Sequence, residues 1–290
     1  MCSSDLILVA NISGALTPLG NPPLFAGLLR GVPFFWPVRS LLLPYLTLSG
    51  VLLTAFYVID RYLAAAEPPA RRGSIPRVQG WRNLGLTAVL GASVTLQTLD
   101  LGTLTLFGEP VGAGRLGGSF LAIGIGWLSW RITPRARRRA NDFTWHPMTE
   151  VAVLFAGIFV TLAPVSHLLQ AGSIQTLIPS LQGSEGQPPA LAYFWLAGLL
   201  SAFLDNAPTY LVFFDMARIN PADPGPLLVA ISAGAVFFGG LTYIGNAPNL
   251  MLRGIASHRG VRMPAFGPYL AMAAALLLPA FVLLGAIFFR

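Results

Sequence analysis

Three stretches of this chain place helix-breaking residues beside oxygen-bearing side chains inside otherwise apolar sequence. The first reads Asn11-Ile12-Ser13-Gly14-Ala15-Leu16-Thr17-Pro18-Leu19-Gly20-Asn21-Pro22-Pro23. The second is Asp205-Asn206-Ala207-Pro208-Thr209, and the third runs from Gly239-Gly240-Leu241-Thr242 through Tyr243-Ile244-Gly245-Asn246 to Ala247-Pro248-Asn249. Pro removes a backbone donor and obstructs the preceding turn, and Gly loosens a helix. Unwound backbone exposes carbonyl oxygens, and the Asn and Thr side chains add more. Hard cations take oxygen ligands, so Na⁺ suits such a cage. Asp205 adds the one clear carboxylate. A buried carboxyl holds its proton more tightly than one in water, so H⁺ and Na⁺ can compete for it, which is the simplest chemistry for cation–proton exchange. A plainer role for Asp205 is the N-cap of a helix with Pro208 in its first turn, and the two roles are compatible.

The ion-site residues expected on this basis are Asn11, Thr17, Pro18, Gly20, Asn21, Asp205, Asn206, Pro208, Thr209, Thr242, Gly245, Asn246 and Pro248. Sodium is expected on Asp205, Asn206, Thr242 and Asn246. Glu150 opens an apolar helix, where an acid suits the N-terminal dipole; a proton-relay role is its alternative.

The elements that must position these residues are apolar. The chain has 290 residues, 54% hydrophobic and only 10% charged, with a mean hydropathy of +0.68. Soluble domains carry roughly a quarter charged residues. Apolar units fall at 7–35 (interrupted), 40–59, 84–107, 116–132, 148–169, 191–217 (interrupted), 227–256 (interrupted) and 267–289. Several are about as long as a bilayer-crossing helix. Within 84–107, Gln97, Thr98 and Asp100 dilute the apolar run. An all-α integral membrane protein is therefore expected in place of a soluble helical one.

All 18 basic residues are Arg. Loop 60–82 carries Arg61, Arg71, Arg72, Arg77 and Arg82; loop 131–147 carries Arg131, Arg135, Arg137, Arg138 and Arg139; Arg253, Arg259 and Arg262 follow residue 250. The positive-inside rule puts all three on the cytoplasmic side. That pattern holds only if 191–217 enters and leaves on one face, as a re-entrant hairpin. Trp36, Trp81, Trp127, Trp130, Trp145 and Trp195 sit near span ends, as an interfacial belt would place them.

The first and third broken stretches match each other at an offset of 225 residues, Thr17 with Thr242 and Asn21 with Asn246, and both fit the pattern Gly-x-Leu-Thr-x-(Leu/Ile)-Gly-Asn-x-Pro. The span count runs them in opposite directions, the signature of an inverted repeat. Two merely kinked structural helices are the alternative.

The joint occurrence of Asn11–Trp36, Glu150-Val151-Ala152, Leu154–Phe159, Asp205–Thr209 and Leu241–Asn249 resembles the sodium:proton antiporter branch of the ion transporter superfamily, which also holds citrate and dicarboxylate carriers and arsenite permeases. The resemblance implies a homodimeric elevator-type carrier in the cytoplasmic (inner) membrane, each repeat having a re-entrant hairpin and a broken helix. Residues 1–6, Met1-Cys2-Ser3-Ser4-Asp5-Leu6, have neither a basic n-region nor a cleavage site and are expected to be a non-native leader; the resemblance makes 7–59 the end of the first repeat. A cytoplasmic linker at 60–82 follows, then the second repeat at 83–290, with scaffold spans at 84–132 and 148–169, the hairpin 191–217, the broken helix 227–256 and a last span 267–289. The first hairpin has no counterpart, so an N-terminally truncated member is expected, and a fragment without transport is one reading of it.

Sodium:proton antiport is the function expected first. The alternative is a sodium-coupled citrate or dicarboxylate symporter, against which Asp205 counts, since it would repel an anion. Arg30 and Arg253 lie nearer the membrane faces. An enzyme is not expected: there is no His/Cys/carboxylate constellation, and His146, His167 and His258 lack ligand spacing. No cofactor beyond the transported Na⁺ and H⁺ is expected, and the bilayer is the partner, not nucleic acid. The single Cys2 excludes an internal disulfide framework. Gly112–Gly117 fits a dinucleotide pattern without the βαβ context that would give it meaning. The Arg135–Arg139 cluster reads mainly as a topology determinant, with an anionic-lipid or nucleic-acid patch as alternatives.

Overall fold

The computed structural model describes residues 7–63, 189–258 and 260–290, most of 80–145, and scattered positions between 148 and 164. The expected leader 1–6, Arg71, Arg72 and Arg77, His146, Glu150, His167, most of the expected 148–169 span and the connection 170–188 lie outside the described residues. The described elements follow this order. A 3-10 turn at Ile12–Leu16 leads to α1 (Pro22–Leu29) and α2 (Trp36–Leu63). Next come α3 (Trp81–Leu96), β1 (Thr103–Leu106), β2 (Glu109–Gly112), α4 (Ala113–Ile132) and α5 (Arg135–Ala140). The last group is α6 (Ala190–Leu204), α7 (Asn206–Met216), α8 (Gly225–Phe237), a second 3-10 turn at Phe238–Leu241, α9 (Ala247–His258) and α10 (Phe266–Phe288).

The chain divides into two compact units, one formed by Met1–Ala66 with Pro147–Arg290 and the other by Glu67–His146. In the larger unit, α2 carries 27 residues (Trp36–Tyr62) with an 18-residue window of mean hydropathy 1.9, and the 23 residues of α10 hold a window of 2.5. At about 1.5 Å per residue both exceed the ~30 Å hydrocarbon layer. Only 17% and 33% of these apolar windows are buried. Both helices are long and apolar enough to cross a membrane, and their apolar windows are far less covered than a soluble protein's core helix would be.

In the same unit, α6 and α8 make the most extensive helix–helix contact. Two glycines permit it. A Cβ on Gly234 would run into the Phe194 carbonyl, and one on Gly198 would lie 2.6 Å from the Phe238 ring. Phe194, Phe238 and Phe281 are fully buried there, with Phe238 stacked on Phe281 at 4.0 Å. A second cluster gathers Ala26, Tyr193, Tyr210, Phe213, Leu228 and Ile231 around α7. Hydrophobic burial does not drive helix association in lipid, so close packing through small residues takes over.

In the smaller unit the expected 84–107 span is helical only as far as Leu96. The remainder forms an antiparallel ribbon, Thr103 opposite Gly112 and Leu106 opposite Glu109. The polar residues after Leu96 end the apolar run, and Gly102 and Gly108 take φ of 85° and 88°, which a helix cannot use. α3 and α4 return alongside one another; Asn83 at the start of α3 donates to Thr133 Oγ1 (2.9 Å) just past the end of α4.

Gly234→Ala is expected to lower stability by about 1–3 kcal/mol through overpacking, despite Ala's better helix propensity. Gly50→Ala, with nothing within 4 Å, should be neutral or slightly stabilising. Thermal unfolding of the purified chain in detergent compares the two.

Candidate functional site

The two matched stretches break in the same way. The first 3-10 turn ends at Thr17, extended at φ −138°, ψ 144°; the second ends at Thr242, at φ −132°, ψ 166°. Four residues later α1 begins just after Asn21 and α9 just after Asn246. In both, the backbone folds onto itself between paired glycines. A Cβ on Gly14 would collide with the Gly20 carbonyl, and one on Gly245 would lie 2.9 Å from the Gly239 carbonyl oxygen. Only residues without a side chain allow the chain to close this tightly.

The third break lies between α6 and α7. Asp205 has φ 73° and ψ 149°, a left-handed backbone costing on the order of 1–3 kcal/mol for a non-glycine residue. Its carboxylate accepts from Asn206 N (2.8 Å), and its carbonyl accepts from Thr209 Oγ1 (2.8 Å). The N-cap role expected of Asp205 is therefore present, and the side chain is half-buried.

Five fully or almost fully buried asparagines join the breaks: Asn11, Asn21, Asn206, Asn246 and Asn249. The direction of every amide follows from two ends that can only accept. Asn249 Nδ2 donates to the broken-helix carbonyls of Gly239 (2.8 Å) and Thr242 (2.9 Å). Its Oδ1 is thus turned to accept from Asn11 Nδ2 (2.9 Å). Asn11 Oδ1 then accepts from Asn246 Nδ2 (3.0 Å), and Asn246 Oδ1 is left over. A second branch begins at the Asn11 main-chain carbonyl, which accepts from Asn21 Nδ2 (3.4 Å). Asn21 Oδ1 accepts from Asn206 Nδ2 (3.0 Å), and Asn206 Oδ1 is left over. Both branches end on a buried carbonyl oxygen without a hydrogen-bond partner. A buried unmet acceptor costs about 1–3 kcal/mol, so each end calls for a donor or a cation.

Of the expected residues, Asn11, Asn21, Asn206 and Asn246 meet in this network. Thr242 is buried beside it, but its hydroxyl donates to the Ala202 carbonyl and accepts from Gly245 N (2.9 Å) and Ile244 N (3.2 Å). It fastens the second break to the end of α6. Thr209 bonds within the tip of the α6–α7 hairpin. Gly245 and Pro18 are buried, and Pro208 and Pro248 are half-buried in the first turns of α7 and α9. Thr17 and Gly20 are exposed, unlike their counterparts Thr242 and Gly245, which the α6 carbonyls cover. Among the described residues no group of three His, Cys, Asp or Glu side chains could hold a metal.

Two further residues were not expected in the site. Asn249 closes the quoted motif, one turn after Asn246, and orients the network. Tyr269 of α10 donates to the Gly240 carbonyl (2.8 Å) and stacks on Tyr243 at 4.1 Å. The motif could have shown Asn249 as a third oxygen-bearing side chain on one helical face; no local signal marks Tyr269.

α1 and α7 leave the site in parallel. Asn21 and Asn206 are bonded at their starts, and Arg30 makes a two-point ion pair with Asp215 at their ends. Arg253 lies over the Tyr243 ring, 4.7 Å from its centroid.

Asn11→Ala should strand Asn246 Nδ2 and Asn249 Oδ1 together, costing about 2–5 kcal/mol, whereas Ser13→Ala, on an exposed residue, should change little. Denaturation in detergent separates the two; equal midpoints would remove Asn11 from its central place.

The family described as "Putative citrate transport" matches residues 5–289 of the chain. No curated protein and no solved structure gives a significant match.

Proposed function

We propose that this chain, which belongs to the "Putative citrate transport" family, is a cation-coupled secondary carrier that exchanges sodium for protons. The observation that carries the proposal is the pair of unfilled buried oxygens, Asn206 Oδ1 and Asn246 Oδ1, at two of the three helix breaks. They are acceptors, so they invite a cation and repel a carboxylate. Neighbouring oxygens are the Asp205 carboxylate, which adjoins Asn206, and the carbonyls of the unwound segments. In this reading Na⁺ and H⁺ compete for Asp205, whose half-buried position leaves a route to water. Thr242 serves by holding the second break against α6 more than as a ligand.

The same reading makes α6–α7 a re-entrant hairpin with its tip at Asp205 and the two breaks halves of an inverted repeat. Their equivalent backbone paths support the repeat, and the arginine distribution supports opposite directions in the membrane. An elevator-type homodimer, multi-pass in the cytoplasmic membrane, is the corresponding assembly.

Sodium-coupled symport of citrate or a dicarboxylate is the second reading, favoured by the family description. Three helices, α1, α7 and α9, begin at the asparagine network, and helix N-termini favour anions. There the two unfilled oxygens would hold the coupling Na⁺, and the anion would approach the helix starts.

Purified chain in proteoliposomes distinguishes them. An imposed Na⁺ gradient should change internal pH, read with a trapped dye, beyond what an ionophore control explains. Asp205→Asn keeps the side chain's shape without its charge and should lower that exchange at least tenfold with insertion unchanged; retained exchange with the same pH dependence would remove Asp205 from the mechanism. Labelled citrate entering with Na⁺, and no pH change, would select the symport reading.

A further inference from the structure

We propose that the arginine-bearing end of the α3–α4 pair is a pocket for the phosphate of an anionic membrane lipid. A cavity of about 330 Å³ opens between the start of α3 and the segment joining α4 to α5, within the size range of small-molecule sites. Arg82 and Arg137 line it with Trp81, Asn83 and Thr133, and no acid is among the lining residues. The Arg137 guanidinium comes within 3.9 Å of where a Cβ on Gly80 would stand, so it lies beside the residue that opens α3. Among the described residues neither arginine is in an ion pair. Arginine suits a phosphate because its planar fork of donors matches the anion's oxygens.

The surroundings place this cavity at the level of lipid headgroups. Arg131 lies over Trp127 (5.1 Å) and Arg138 over Trp130 (4.9 Å), which holds their charge against aromatic rings. Trp81, Trp127 and Trp130 are exposed, as are Leu84, Phe120 and Ile123 further along the same two helices. Tryptophan marks the membrane–water interface, and exposed aliphatic faces continue where acyl chains would lie. Basic pockets beside apolar helices fit an anionic headgroup. A soluble polyanion such as RNA would leave those apolar faces unexplained. The pocket also gives a role to the Arg135–Arg139 cluster beyond setting orientation, because α5 brings Arg137 back over α3.

The full chain reconstituted in vesicles tests this through quenching of its tryptophans by brominated phosphatidylglycerol and, separately, brominated phosphatidylcholine. The anionic lipid should bind about tenfold more tightly, at roughly fivefold per arginine for two arginines less losses at the surface. Arg82→Gln with Arg137→Gln should abolish the preference. Arg135→Gln with Arg139→Gln removes the same charge outside the cavity and should keep most of it. If the double pocket variant fails to fold, Arg137→Gln alone should still show a loss of roughly fivefold. A preference unchanged in the pocket variants, or lost equally in the control pair, overturns the proposal. So does competition by millimolar inorganic phosphate in the parent chain, which would mark a site for the free ion.

Discussion

A carbonyl released from a broken helix can only accept, and the organisation of the site depends on that constraint. Gly239 and Thr242 lose their helical partners where the 3-10 turn ends at Leu241, and in a membrane interior no water is at hand to replace them. Asn249 supplies both bonds from a single amide. Once its nitrogen is committed, each later amide has no choice of direction, and acceptors accumulate outward through Asn11 to Asn246. The second branch obeys the same rule from the Asn11 carbonyl to Asn206. The glycine pairs, the strained tip at Asp205 and the Thr242 hydroxyl bring three separate breaks close enough for these short side chains to meet.

The network also explains why α1 and α7 travel together. Asn21 with Asn206 fixes their starts and Arg30 with Asp215 their ends. Arg30 is 42% exposed, and an ion pair that open to solvent contributes little to stability. Its use is to align the two helices, so that a shift of α7 at its far end is felt at Asn206. The unmet oxygens carry the energetic weight instead. A state in which they are filled gains about the 1–3 kcal/mol apiece that the empty one forgoes, which is the differential a ligand needs to shift a conformational equilibrium.

Much of this was legible in the chain before any coordinates. Thr17 and Thr242, and Asn21 and Asn246, declare the two breaks because Gly, Pro and Asn act on the backbone within a few residues. The hairpin tip at Asp205 is equally local. The partnership of Asn11 with Asn246 and Asn249, more than 230 residues away, leaves no periodicity to read, and neither does Tyr269. The unlike fates of Thr17 and Thr242 were also hidden. The two share a backbone geometry, but only Thr242 has the Ala202 carbonyl beside it, and that depends on where α6 packs. The end of α3 at Leu96 was marked by Gln97, while the ribbon beyond it needed the glycines at positive φ to be seen together.

Charge is kept out of the network itself. Five neutral amides are buried here with two acceptors left unmet, whereas a buried arginine or a second carboxylate would add a desolvation penalty of several kcal/mol. A site built this way is stable enough without net charge, and its binding energy depends on what enters. A cation meeting amide oxygens of fixed direction requires no reorganisation of the donors around it, because the backbone carbonyls of Gly239, Thr242 and Asn11 already hold every amide in place. Asp205 stands at the edge, half-buried, where its carboxylate keeps contact with the helix it caps and does not have to be neutralised for the fold to form. The proposed competition between Na⁺ and H⁺ falls on Asp205 because it is the carboxylate beside Asn206 at the edge of this network.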